Sequence, residues 1–178
     1  MAGLLSNLTF STLTLNDLVQ IDAGRMDRAA YLIPTLDKVY HIVRKETIWD
    51  KVKKFFQRGN TSINMYYTVF AYNVSSPSGG VYRVLIEIQP NFNRAAFFDN
   101  VARVYCNCAD FKFRYAWELN KRKNLFRNSR ISQELGIALQ QEPTAKTKNS
   151  SGGSHMCKHV YAAVKHLADN YDQIIASI

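Results

Sequence analysis

The sequence predicts an α+β fold, an antiparallel β-meander followed by helices, with an N-terminal helical or extended region. Three observations predict it. Residues 63–74 (INMYYTVFAYNV) and 81–89 (VYRVLIEIQ) are rich in β-branched and aromatic residues, and the SSPSGG between them is a hairpin connection. From Cys157 onward an apolar stripe (Val160, Val164, Leu167, Tyr171, Ile174) recurs at helical spacing. Between these regions all three cysteines of the chain fall into two short clusters.

Taken in order, residues 5–20 mix β-branched and apolar residues with Ser and Asn and read as a strand or extended arm. From Pro34 the spacing of Leu36, Val39, Tyr40 and Val43 predicts a helix, with proline in its first turn. A second amphipathic helix follows, with Ile48, Trp49, Val52, Phe55 and Phe56 on one side and Lys51, Lys53 and Lys54 elsewhere, ended by Gln57 to Asn60. After the hairpin, Val101–Tyr105 forms a short third strand that runs into Cys106. Residues 110–126 read as a helix with Phe111, Tyr115, Leu119 and Phe126 inward, and 129–139 as a shorter one. Residues 141–154 carry no large apolar side chain and read as a mobile loop. The chain thus divides into an N-terminal arm with amphipathic helices, 1–60, and a hairpin, metal and C-terminal-helix module, 61–178.

Length and composition narrow the function classes. With 178 residues, 47% hydrophobic and 12% aromatic, the chain can build a real core. No stretch approaches the roughly 18–20 apolar residues of a membrane span, and no basic start precedes the first apolar residues, so neither membrane insertion nor secretion is expected. The N-x-Ser/Thr triplets at Asn7, Asn60, Asn73 and Asn149 are then chance. A formal charge of +9 favours acidic partners, although solubility alone also explains it.

The chemistry lies in Tyr105-Cys106-Asn107-Cys108 and in His155-Met156-Cys157-Lys158-His159. Three cysteines cannot all pair within one chain, and a reducing compartment disfavours disulfides. A Cys-x-Cys pair leaving a strand can turn both thiols to one side of a bend, and a Cys-x-His pair can do the same in the first turn of a helix. Two such clips close one tetrahedral site, so Cys106, Cys108, Cys157 and His159 are the expected ligands of one structural zinc ion, Zn2+. Any one of these cysteines alone would more often be a buried core residue than a ligand. His155 is a candidate substitute ligand. His41 and His166 stand singly on amphipathic stretches and read as surface or core-edge residues.

Eight bases lie between positions 103 and 130: Arg103, Lys112, Arg114, Lys121, Arg122, Lys123, Arg127 and Arg130. Only Asp110 and Glu118 oppose them, and Tyr115, Trp117 and Phe126 are interleaved. Two readings stand. In one the aromatics are the buried face and the bases the solvated face of an amphipathic helix. In the other they form a surface for nucleic acid or an acidic partner, with the rings stacking on bases.

The order Cys-x-Cys…Cys-x-His, after a hairpin and ending in a helix, resembles the SWIM-type zinc finger across roughly residues 63–175. The 48 residues between Cys108 and Cys157 exceed the usual spacing of that family. The filling of the gap is similar to a variant in virion-associated proteins of tailed bacteriophages, in which Cys-x-Cys-x-Asp-Phe-x-x-Arg opens a helix and Cys-Lys-His closes the site. Asp110, Phe111, Arg114 and Lys158 match that pattern.

Asp110 is then expected to cap the following helix or to accept a proton from the zinc-bound histidine, and Phe111 to pack beneath the metal. Arg114 is expected to pair with Asp110, to face a ligand or to stay solvated. The resemblance implies a non-enzymatic structural protein of a phage tail, baseplate or neck, made in the host cytoplasm and then held in the virion among other virion proteins. The alternative is a SWIM-like nucleic-acid-binding module using the 103–130 stretch. No membrane partner and no small-molecule substrate are expected. No paired carboxylates, nucleophile–base pair or phosphate loop appears, and four protein ligands leave zinc no open position, so an enzyme is not expected.

Overall fold

The computed structural model describes residues 13–47, 62–89, 94–138 and 156–178. Its centre is a four-stranded antiparallel sheet in the order β1-β2-β3-β4, formed by Ile33–Thr47, Ser62–Ser75, Val81–Ile88 and Ala102–Cys106. The meander follows from the sequence: alternating β-branched and aromatic residues make β2 and β3. Between them Ser76 and Gly80 close the hairpin through a 2.8 Å N–H···O bond, with Gly79 at φ +86°.

The predicted helix at Pro34–Val43 is instead strand β1, paired with β2 from Ile33↔Ser75 to Thr47↔Ser62. A β-bulge at Asp37 explains the misleading spacing. Leu36 pairs with Tyr72, Asp37 is skipped, and Lys38 pairs with Ala71. Pro34 and Leu36 therefore share a face with Val39 and Val43, and a two-residue alternation acquires a three-residue step. Because both faces of the sheet are covered, neighbouring Val39 and Tyr40 each pack on the core, completing the helical look. The proposed boundary at residue 60 thus falls between two paired strands. The predicted amphipathic helix at 48–57 lies outside the described residues.

One sheet face carries Phe70, Tyr72, Val84, Ile86, Val104 and Cys106, all buried, and receives helix α5, Lys158–Asp169, through Val160, Ala163, Val164 and Leu167. Burial of each Leu or Val side chain contributes about 1.5–3 kcal/mol, so the stripe fixes this helix as a lid. Its run ends at Asn170, and a shorter helix, α6 (Tyr171–Ala176), buries Tyr171 and Ile174. The opposite face carries Val69, Leu85, Glu87 and Tyr105. Over it lies the segment containing helix α4, Ser129–Glu134, whose Glu134 pairs with Lys38 and accepts from Tyr40 at 3.3 Å.

The expected single helix over 110–126 is shorter and divided. Phe111–Tyr115 forms a π-helical turn with Ala116 N–H bonded to Phe111 O, and α3 runs only over Ala116–Lys121. Lys123 at φ 60° stops it. Phe111, Tyr115, Leu119 and Phe126 are all buried as expected, although Phe126 gets there from an extended segment: its N–H bonds Val104 O at 3.0 Å along the outer edge of β4. The expected helix at 129–139 is likewise short.

Leu13–Ala29 is not a detached arm. A four-residue helix, α1 (Leu15–Leu18), is capped by Thr14 and Asp17 bonding to each other's backbone N–H, and α2 (Ala23–Ala29) is capped by Asp22. Leu13, Leu15 and Leu18 are core residues. Buried Asn124 holds this segment to β4, its amide donating to Leu13 O at 2.8 Å and Ala102 O at 2.6 Å while its oxygen accepts from Leu13 N–H at 2.9 Å. Residues 5–12, including Leu8 and Phe10, lie outside the described residues. No helix among the described residues is long and apolar enough to cross a membrane.

Candidate metal centre

Three elements deliver the four predicted ligands. Cys106 is the last residue of β4, opposite Val84 on the helix-covered face. Asn107 then bonds Arg83 twice, donating its N–H to Arg83 O at 3.2 Å and accepting Arg83 N–H on Oδ1 at 3.0 Å. Those two bonds set the bend between the thiols, a role for Asn107 that composition and spacing do not reveal. Cys108 follows, and its sulfur accepts from Phe111 N–H at 3.3 Å, while Cys106 Sγ accepts from Cys108 N–H at 3.5 Å. Cys157 is the N-cap of α5 in extended conformation, and His159 lies in its first turn.

The ligand atoms of Cys106, Cys108, Cys157 and His159 all lie within 4.8 Å of one another, and all four residues are buried. Tetrahedral zinc with Zn–S bonds of about 2.3 Å places its sulfurs about 3.8 Å apart, so the cluster needs only a small contraction around an ion. None of the cysteines is in a disulfide. Both ring nitrogens of His159 are buried without a hydrogen-bond partner, a placement that a coordinate bond to one of them relieves. Burial pushes the Cys106 and Cys157 thiols up, whereas hydrogen bonds from those two thiols hold Cys108 well below the ordinary thiol range. A divalent cation supplies the positive charge with which all three sulfurs can be thiolates together. The residues fit a closed metal site of three thiolates and one imidazole, compatible with zinc.

Around the cluster, two expectations change. Asp110 makes no side-chain cap bond and does not reach His159. It pairs with Arg114 at 3.2 Å and lies 4.0 Å from Arg25 of α2. Charge decides this: two guanidiniums outcompete neutral amide donors for one carboxylate. Phe111 is fully buried, packs edge-on against Tyr105 at 6.0 Å and keeps its N–H on Cys108 Sγ. Lys158 opens α5 but donates nothing to the cluster in the described contacts. His155 lies outside the described residues, as do residues 141–154, expected to be a mobile loop. His41 is exposed and His166 touches Tyr72 at 3.5 Å, so neither joins the centre.

The basic stretch divides. Arg103 pairs with Glu87 at 2.7 Å, Arg114 with Asp110, Arg122 with Glu118 at 2.8 Å, and Lys121 sits 3.5 Å over the Trp117 ring. Tyr115 and Phe126 are buried, so two of the three aromatics are unavailable for stacking on bases. Lys112 lines a cleft of about 390 Å³ with Asn73, Arg83 and Asn107. Lys123, Arg127 and Arg130 complete the stretch without joining that cleft.

Sequence reasoning missed Glu87. It is fully buried and receives Arg44 from β1 at 2.6 Å and Arg103 from β4 at 2.7 Å, tying three strands across one face. The only signal was an acid at a strand position otherwise alternating with apolar residues, where solvent exposure is the ordinary expectation.

The site defines a class, a buried Cys3His centre joining a β-strand end to a helix start. The chain matches no protein-family profile, no curated protein and no solved structure.

Proposed function

We propose that this is a non-enzymatic, zinc-stapled structural protein that docks on neighbouring subunits of an assembly, and that the assembly is the virion of a tailed bacteriophage, at its tail, baseplate or neck. The observation that carries the structural role is the closed set of four buried donors. Four protein ligands saturate tetrahedral zinc, so the ion holds elements together and leaves no position for a reacting water. Docking is supported by strand β1, whose outer edge pairs with no strand among the described residues. Exposed Tyr31 and Ile33 lie near one end of it, and the cross-strand neighbours Val43 and Tyr66 near the other. The phage setting rests on the motif around Cys106, Asp110, Phe111, Arg114 and Cys157-Lys158-His159.

The competing SWIM-like nucleic-acid reading is weakened by the bases already engaged within the chain. Stoichiometric co-purification of the protein with intact particles is the expected result, together with about one zinc per chain. Tight DNA binding that falls steeply with salt, without association with a particle, would transfer the proposal to nucleic acid.

A further inference from the structure

We infer that Tyr82 is the positioning residue of the metal centre: its ring sets the plane of the His159 imidazole, and Gly80 makes room for that ring. The inference rests on the metal reading of the Cys3His cluster. Metal-bound histidines ordinarily anchor their second nitrogen on a carboxylate, a carbonyl or water, which fixes the ring rotation. Here neither His159 nitrogen has a hydrogen-bond partner, and Asp110, the partner expected from the motif, is paired with Arg114. What does hold the ring is Tyr82 of β3, stacked on it with centroids 3.9 Å apart and planes 28° from parallel. Rotation of the imidazole about its bond to Cβ would drive an edge into the tyrosine face, so the stack selects the ring orientations available to the cluster. A ring bound to a dication is electron-poor, and the negative face of an aromatic ring favours it over the free imidazole. The stack therefore strengthens on metal binding.

The Tyr82 ring packs closely against Gly80. A Cβ at Gly80 would come 3.0 Å from the Tyr82 hydroxyl oxygen and 3.1–3.2 Å from two ring carbons. Gly80 does not require left-handed backbone, so an alanine there acts on the ring and not on the turn. Tyr82 otherwise faces Val74 across the strand pair and is only partly buried, so it is not a major core residue.

The test measures zinc affinity of the full chain by competition with a chromogenic chelator, and the visible absorption of the Co2+-substituted protein, for wild type, Tyr82→Leu, Tyr82→Phe and Gly80→Ala. Loss of an outer partner of a metal ligand typically lowers affinity about 10–100-fold, and Tyr82→Leu is expected in that range with a shifted Co2+ spectrum. Tyr82→Phe keeps the ring and should match wild type in both. Gly80→Ala should weaken zinc and shift the spectrum through the displaced ring. Wild-type affinity and spectrum in Tyr82→Leu overturn the inference. If Tyr82→Leu does not fold, Gly80→Ala decides by the same two readouts. Should the wild type itself bind no metal, the Cys3His reading fails first, and the inference with it.

Discussion

Replacing Glu87 by Ala removes the carboxylate held between two guanidiniums on a covered sheet face. Glu87 is fully buried, Arg44 and Arg103 hold it at 2.6 and 2.7 Å, and Arg103 also lies over the Tyr67 ring. Breaking a buried ion pair from one side costs about 3–5 kcal/mol, because the partner charge is left without compensation. Here the two arginine side chains are 27% and 21% exposed, so each can draw in water, and the lower figure applies. For a chain of this length, about 3 kcal/mol corresponds to a fall in Tm of roughly 6–12 °C. Thermal unfolding followed by far-UV circular dichroism, with urea denaturation as a second measure, reads it directly. The triple variant R44M/E87M/R103M removes all three charges together and is expected to recover most of the loss, since buried pairs exchange for apolar residues of like size at little cost. A Tm within about 2 °C of wild type for Glu87→Ala, or a triple variant worse than the single, would refute the role of the triad as an interdependent unit.

Three further outcomes are expected. Metal analysis of the purified chain gives about one zinc, and Cys106→Ser or Cys157→Ser abolishes it and unfolds the module, because structural zinc contributes roughly 10–16 kcal/mol against a typical total stability of about 5–15 kcal/mol; a zinc-free protein with unchanged Tm would oppose this. Asn124→Ala removes three hydrogen bonds to Leu13 and Ala102 and leaves buried backbone groups unpaired, a loss of about 2–4 kcal/mol, with faster amide exchange at Leu13 and Ala102 as its local signature. Replacing residues 141–154 by a few Gly and Ser residues leaves zinc stoichiometry unchanged, since halving a loop alters closure by only about 0.6 kcal/mol.

The parts of the fold legible in the sequence were those set by local chemistry. The β2–β3 hairpin announces itself through alternation and a glycine turn, and the α5 stripe through its spacing. The ligand set is legible because sulfur and imidazole in two clips have few other reasons to be grouped. What was illegible depends on partners distant in the chain. Val39 and Tyr40 are both covered because separate segments close the two faces of one sheet, which no local period encodes. Asn124 reads as a polar turn residue until Leu13 and Ala102 are brought to it. Asp110 reads as a cap until Arg25 and Arg114 converge on it. Tyr82 reads simply as an inward strand residue, and its stack on His159 exists only because the α5 lid lands there.

The split of the metal centre into two clips far apart in sequence has a consequence for the newborn chain. β1 to β4 and both thiols of the first clip are complete by residue 108, and a hairpin closes in about 1–10 μs once its strands are free. Forty-eight more residues must be synthesised before Cys157 appears, which at about 5–20 residues per second occupies some 2–10 s. During that interval the α5 residues that cover one sheet face are still to be made, and Cys106 and Cys108 are two of the four donors. Completion of the donor set and covering of that face therefore both wait on the same stretch, Cys157 to Leu167.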